Sequence, residues 1–516
     1  MNKQHLFRTA VILCCVMITT VFTACKQNNE PVKPGEAEYT VMYYANGGSN
    51  VDKAVLSIIE EFYDAEPESF KNVNVVVQYK FSTTENLKAH GFSDQDAERF
   101  GSKTYRWQAK ADTTDILDQI AKMEPYGADN ADCTCPDSLT NFINWAARTH
   151  PAKKYFFIIN DHGGGYMPHD DKPEQTASAT PRQGMHRGMI YDDGYYVGGI
   201  KKHFTVKTFT SAVRAANVRC ETIFLLACLM NNLEYLFEMQ DLSDYIIAST
   251  FVMPACLAST DVLVNQLSAH PNNPEQVLSA YCKADVEGWD EQIGAEEGET
   301  IWNDLTVTRT ANLPAMGKLL RTFTDRLCDT YANGTPEQKS KIDYCTQHTM
   351  KIQIQRPYYD IAKYITSLFK ALPEVYDNAF CEQFQNTFNS CIVDQHYSHY
   401  LEEHHFEVDY SVLIGMDNTY SLITWDSKDD PKVPVAANIY ASDGEMAEFS
   451  LHPVEGDPDS YTLELVGEKD PWGSTFDQTY KQLEFDKIVG WSRWIELNQQ
   501  HPNLFCPSDM NFQLPN

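Results

Sequence analysis

Basic residues are scarce in this 516-residue chain: 41 Lys and Arg stand against 72 Asp and Glu, a formal net charge of −31. A phosphate backbone needs a cationic face, so the balance argues against nucleic acid as a partner. The acidity suits a soluble extracytoplasmic protein, or one that meets calcium or basic peptides. Closely spaced cysteines are few. Cys133 and Cys135 form one pair in ADCTCPDS, and no second pair completes a zinc site. That pair suits disulfide chemistry better. After residue 25 no apolar run is long enough to cross a bilayer as a helix. Internal repeats are absent. What remains is ordinary globular material, 43% hydrophobic and 12% aromatic, long enough for two or three domains and a large core.

Residues 1–24 read as a lipoprotein signal peptide. Lys3 and Arg8 make a positive start, and Val11–Val21 is an apolar stretch too short to span a membrane. Phe22-Thr23-Ala24-Cys25 resembles a bacterial lipobox, which makes Cys25 the lipidated residue. Residues 25–37 then read as a tether, with the flexible NNEPVKPGE inside it. The expected location is the cell envelope, lipid-anchored. Lys26 in place of Asp after the lipid cysteine favours the outer membrane. Fourteen cysteines less Cys14, Cys15 and Cys25 leave eleven, an odd number. At least one thiol therefore stays unpaired within the chain, as a nucleophile must.

Apolar strands alternate with helical stretches across the first half. YTVMYYA at 39–45 and VNVVVQY at 73–79 read as strands, with Val51–Phe62 a helix between them. Thr114–Met123 and Ser138–Thr149 are amphipathic helices. A strand through Tyr155, a helix over Thr208–Ala216, a strand TIFLLA at 222–227 and a strand YIIAS at 245–249 follow. The alternation predicts a mainly parallel sheet covered on both faces. Leu313–Ser390 reads as largely helical, Glu407–Val466 as strands, and Tyr480–Gln499 as a short strand with a Trp-rich terminal helix. The expected domains are 38–290 for the α/β core, 291–405 for a mainly helical region and 406–516 for a β-rich region with a terminal helix.

Two strand ends carry chemistry. YFFIINDHGGGY at 155–166 ends a buried strand on His162, and TIFLLA ends on Cys228 before CLMNNLEYLFEM. In open α/β sheets the carboxyl rim of the strands is where active sites form. A Cys and a His at that rim suggest a thiol nucleophile with an imidazole base. A helix beginning just after Cys228 would favour the thiolate through its dipole. Gly163 and Gly164 let backbone approach a substrate, and an N–H there can hold an oxyanion. The plain alternatives are a turn histidine and a buried core thiol. HGGG also occurs as the oxyanion loop of lipases, but that fold needs G-x-S-x-G, and this chain has none. The 66 residues between His162 and Cys228 hold one loop, one helix and one strand. The loop at 167–188, with Lys172, Arg182 and Arg187, reads either as a surface insertion or as an activation segment cut after a basic residue.

The order DHGGGY, RGMIYDDG, ACLMNNLEYLFEM and YIIAS is similar to the clostripain family of cysteine peptidases, in the caspase-like group with gingipains and legumain. YTVMYYANGGSN, NFINWAARTHPAKKYFFIINDHGGGY, RPYYDIAKYI and YKQLEFDKIVGWSRWI extend the resemblance over most of the mature chain. It implies a caspase-like α/β core with C-terminal helical and β accessory regions. It also implies His162 as base and acid, Cys228 as nucleophile and Gly163 as an oxyanion donor, with the Cys228 N–H alongside.

One departure concerns the substrate pocket. Family members commonly carry Asp two residues before the nucleophile, where it helps bind a P1 Arg; here that residue is Leu226. The stretch from Ser249, STFVMPACLAS, departs as well. Leu226 and Ser249 are therefore candidate pocket residues for an apolar or mixed P1. Thiol chemistry requires no cofactor, though the family's namesake depends on calcium. Asp192 and Asp193 read as a turn in preference to a calcium site. His396, His399, His404 and His405 with Glu402 and Glu403 would bind metal only if His396 and His399 shared a helical face; a solvated helix end is the expectation, and no metal site is assigned. The expectation is a lipid-anchored cysteine endopeptidase acting on proteins or peptides, of unknown oligomeric state. The alternative is a catalytically inactive peptide-binding member of the same fold.

Overall fold

The computed structural model describes residues 37–112, 115–165, 189–197, 200–251, 253, 258–292, 303–348, 351–352, 358–399 and 480–499, and short strands between 413 and 471. The signal peptide with Cys25, the tether before residue 37, the 167–188 loop and Glu402–His405 lie outside the described residues.

The strands in chain order are β1 (Ala37–Asn46), β2 (Val73–Lys80), β3 (Thr104–Ala109), β4 (Ala152–Asn160), β5 (Met189–Val197), β6 (Ile200–Phe204), β7 (Cys220–Leu226), β8 (Ser243–Ala248), β9 (Asp304–Arg309), β10 (Lys351–Ile352), β11 (Tyr358–Asp360) and β12 (Ile392–Tyr397). One eight-stranded sheet runs β12-β9-β8-β7-β4-β1-β2-β3. Its centre, β2-β1-β4-β7-β8, is parallel; β3, β9 and β12 join antiparallel. The central strands are near-continuous apolar runs because both their faces are covered. On one face Phe157, Ile159, Ile223 and Leu225 meet the helices Pro136–Thr149, Val206–Ala216 and Leu313–Asn333; on the other Tyr43, Ile158, Phe224 and Ile247 meet Asp52–Glu61, Thr260–Ala269 and Pro274–Gln292.

The parallel doubly covered sheet matches the reading of the sequence. The boundary at 290 does not fall at an edge of that sheet, because β9 and β12 from the segment read as helical complete it. They are short and antiparallel, so no helix-alternating rhythm marks them. The tail also differs: 484–489 and 492–499 are two helices, and no strand occurs among the described residues of the tail. Trp491 and Trp494 are buried in the same core as Phe237, with Phe485 edge-on to Phe237 at 5.4 Å. Residues 480–499 thus pack behind the helix that follows Cys228. Further strands, including 421–426, 434–440, 445–454 and 457–465, form a separate antiparallel sheet.

Candidate active site

Register builds the site. β4 and β7 pair in parallel, and Asn160 stands opposite Leu226 at their carboxyl ends. Two residues on, each chain delivers its reactive side chain, His162 and Cys228. The two ends touch: a Cβ on Gly163 would stand 2.5 Å from Cys228 O, 2.7 Å from Ala227 Cβ and 2.9 Å from Cys228 N. Only a residue without a side chain permits that approach. His162 and Cys228 are both partly exposed, as groups that meet a substrate must be.

The segment after Cys228 is not the start of a helix. The Ala227 N–H donates to Leu225 O at 2.9 Å, and Leu229 takes a left-handed φ of 63°. The helix begins at Leu233, capped by Asn232, whose Oδ1 accepts from the Tyr235 N–H at 3.0 Å. The expected dipole at Cys228 is therefore absent. Asn at an N-cap sets the true start, and the Asn231-Asn232 pair was the legible signal. The thiol has another partner: the Met253 N–H donates to Cys228 Sγ at 3.2 Å. The thiol in turn donates to Met253 O at 3.7 Å, so the backbone of Met253 holds the sulfur in place. Nothing in the sequence pointed to Met253.

Ser249 organises that loop. It is fully buried, donates from Oγ to Asp304 Oδ1 at 2.9 Å and accepts from the Phe251 N–H at 3.1 Å. Asp304 Oδ1 also takes the N–H groups of Thr250 and Phe251. Ser249 thus shapes the loop and presents no side chain to solvent. Leu226 is 3% exposed, against Phe224 and Ile158 on the face of Tyr43. It offers aliphatic carbon directly behind the rim.

His162 is framed from two sides. Its Nε2 lies 2.6 Å from Asn50 Oδ1, and the Tyr191 ring stands 6.4 Å away at 64°. Asn50 sits in the turn after β1, where Gly48 and Ser49 have φ of 53° and 87°. A Cβ on Gly48 would meet the Asp161 carboxylate and stand 2.9 Å from His162 Cδ2. Burial holds the Asp161 carboxyl well above the usual carboxylate range, and its Oδ2 accepts from the Tyr191 N–H at 2.6 Å.

β5 and β6 form an antiparallel ribbon between the two reactive residues, beyond the loop, helix and strand expected there. Asp192 anchors it through an ion pair with Lys80 at 2.6 Å, both side chains buried, and accepts the N–H of Cys133 at 2.9 Å. Asp193 accepts the Thr83 N–H at 2.8 Å and Asn86 Nδ2 at 2.6 Å. Both residues lie in β5, not in the turn read from the sequence, and these contacts tie their carboxylates to the chain's own groups. Cys133 and Cys135 are both free thiols, and Cys133 Sγ accepts from Asn46 Nδ2 at 3.0 Å. The expected disulfide chemistry does not hold there. His396 lies in β12 with Nε2 3.0 Å from Asp394, and the His399 N–H donates to Asp290. The two histidines share no helical face, because His396 is in the strand and His399 lies past its end at Tyr397.

The fold and the site define an α/β protein with a thiol and an imidazole brought together at the carboxyl rim of its parallel strands. Residues 43–447 match the model of the clostripain family, peptidase C11. The chain belongs to that family. Clostripain of Hathewaya histolytica is 24% identical over 234 residues, 39% of this chain. That match spans only 41% of the length of the curated relative. A secreted C11 cysteine protease from Bacteroides thetaiotaomicron, in complex with an irreversible peptide inhibitor, has a similar structure. Its TM-score is 0.52 at 15% identity, covering 88% of this chain and 99% of that one. The structure called iotapain, from the same organism, gives 0.53 at 13% identity, covering 88% and 100%. These structural likenesses speak for the fold.

Proposed function

We propose that the chain is a cysteine endopeptidase, held to the cell envelope by lipid on Cys25 and cutting proteins or peptides outside the cytoplasm. The observation that carries the reading is the contact of Gly163 with the backbone of Cys228, which sets an imidazole and a thiol at one rim. In this mechanism His162 takes the Cys228 proton as sulfur attacks the scissile carbonyl carbon. The N–H groups of Gly163 and Cys228 receive the oxyanion. The C–N bond breaks, the amine leaves with the proton from His162, and a thioester remains. Water activated by His162 hydrolyses it. No metal takes part in these steps.

The proposed P1 preference is apolar or mixed, since Leu226 supplies hydrocarbon where the family pattern has Asp. The outer membrane is the proposed site of anchoring.

Incubating the purified protein with P1-varied peptides, beside Cys228→Ala, tests the reading by mass spectrometry. Cleavage by wild type alone supports it, and parallel runs with calcium and with chelator show whether calcium contributes. Absence of cleavage under every condition would favour a peptide-binding protein on the same fold. For the anchor, Cys25→Ala is expected to move the protein from the membrane fraction to the soluble one.

A further inference from the structure

We propose that Asn50 is a positioning residue for His162, fixing the imidazole in the tautomer and orientation that serve Cys228. This rests on the peptidase reading above. Asn50 Oδ1 lies 2.6 Å from His162 Nε2. A side-chain carbonyl only accepts, so Nε2 carries the hydrogen. In the neutral ring Nδ1 then holds the lone pair, and Nδ1 is the atom that takes the thiol proton.

The turn that carries Asn50 is built to stay in place. The Val51 N–H donates to Gly47 O at 2.9 Å, and the Ser49 N–H donates to Ser82 Oγ at 3.0 Å. Asp52, the next residue but one, is buried and accepts from Tyr79 OH at 2.6 Å and the Ser82 N–H at 3.1 Å. Ser49 has a φ of 87°, a conformation that costs a non-glycine residue energy and persists where its surroundings hold it. Gly48 meanwhile presses the turn directly onto Asp161 and the edge of the His162 ring. Asn50 is exposed, so its amide adds little to the core, and its contact with the ring is its distinctive interaction.

The choice of an amide has a chemical consequence. A carboxylate at this position would stabilise the imidazolium and raise the ring's pKa. An amide orients the ring without adding charge. The titratable groups around the ring are Asp161 on its own strand end, Asp52 behind the turn, Tyr191 and Asp193 on β5 and Cys228 across the rim.

The test compares wild type, Asn50→Ala, Asn50→Asp and Cys228→Ala on one peptide that wild type cleaves. Asn50→Ala is expected to lower kcat by about 10–100-fold with KM within about twofold, as for loss of a group that orients a catalytic one. Asn50→Asp keeps the acceptor, so it should recover much of kcat and displace the pH profile to higher pH by about one unit or more. A purely structural turn residue would change melting temperature and leave the profile in place. Wild-type kcat in Asn50→Ala, or an unmoved profile in Asn50→Asp, overturns the proposal. If wild type cleaves nothing, the peptidase reading fails by itself. The pH dependence of Cys228 alkylation by iodoacetamide, read by mass spectrometry, then decides the case for Asn50. The proposal expects a shift in Asn50→Asp, and identical profiles refute it.

Discussion

Gly163 lies hard against Cys228, its Cα so close that a methyl group would stand 2.5 Å from Cys228 O and 2.9 Å from Cys228 N. Real Cβ atoms do not approach backbone so closely, so one of the two strand ends must give way. Gly163→Ala is therefore expected to move His162 away from Cys228 and to shift the two N–H groups proposed to receive the oxyanion. Loss of a single such donor costs on the order of a hundredfold in kcat, and the variant should lose at least that. Thermal unfolding beside peptide cleavage checks it. A variant as active as wild type would show that the contact does not set the site.

The proposed P1 role of Leu226 rests on the family pattern, which has Asp at this position. At 3% exposure Leu226 is also packed with Phe224 and Ile158. Leu226→Asp is thus expected to act in two opposed ways. Cleavage after Arg should rise relative to cleavage after apolar residues. Stability should fall by roughly 2 kcal/mol or more, because a carboxylate replaces buried hydrocarbon. The measurement is the ratio of kcat/KM for Arg and Leu peptides, together with a urea midpoint. A ratio that does not move would count against Leu226 as a specificity residue.

The ribbon bearing Tyr191 is tied to the sheet by Lys80 and Asp192, whose side chains are 2% and 0% exposed and 2.6 Å apart. Removing one member leaves the other charge buried and alone. Lys80→Met should cost about 3–5 kcal/mol, and adding Asp192→Asn should restore part of that. Double-mutant analysis of chemical denaturation reads the coupling. Additive effects of the two substitutions would mean that the pair does not hold the ribbon.

The parallel core was legible because its strands are long, apolar and separated by helices of regular period. His162 and Cys228 were legible because each ends such a strand. β9 and β12 were not, since a short antiparallel strand beside helices leaves no rhythm of its own. The turn of Asn50 was visible as NGGSN, but its contact with His162 depends on β1 and β4 pairing side by side, from Ala37 opposite Ala152 to Ala45 opposite Asn160. The Met253 N–H at Cys228 was hidden for a different reason. It is a backbone group positioned by Asp304, 51 residues away along the chain, through Ser249, Thr250 and Phe251. Such a relay has no residue signature.

Glu61 holds the start of the helix Thr260–Ala269. Its Oε2 accepts the N–H groups of Ala258 and Thr260, each at 3.2 Å, and burial pushes its carboxyl up to about 7 from an ordinary 4.5. A folded state with the higher pKa binds the proton more tightly than the unfolded chain. The resulting stabilisation is fully present below pH 4.5 and is lost as pH rises through about 7. Glu61→Gln keeps an acceptor for the two N–H groups and abolishes the titration. Relative to wild type it should grow more stable from pH 4.5 upward and level off above 7, by roughly 2–3 kcal/mol at pH 8. Urea midpoints of both proteins at pH 5 and pH 8 measure this. A difference between the proteins that is the same at both pH values would mean that Glu61 titrates normally in the folded chain.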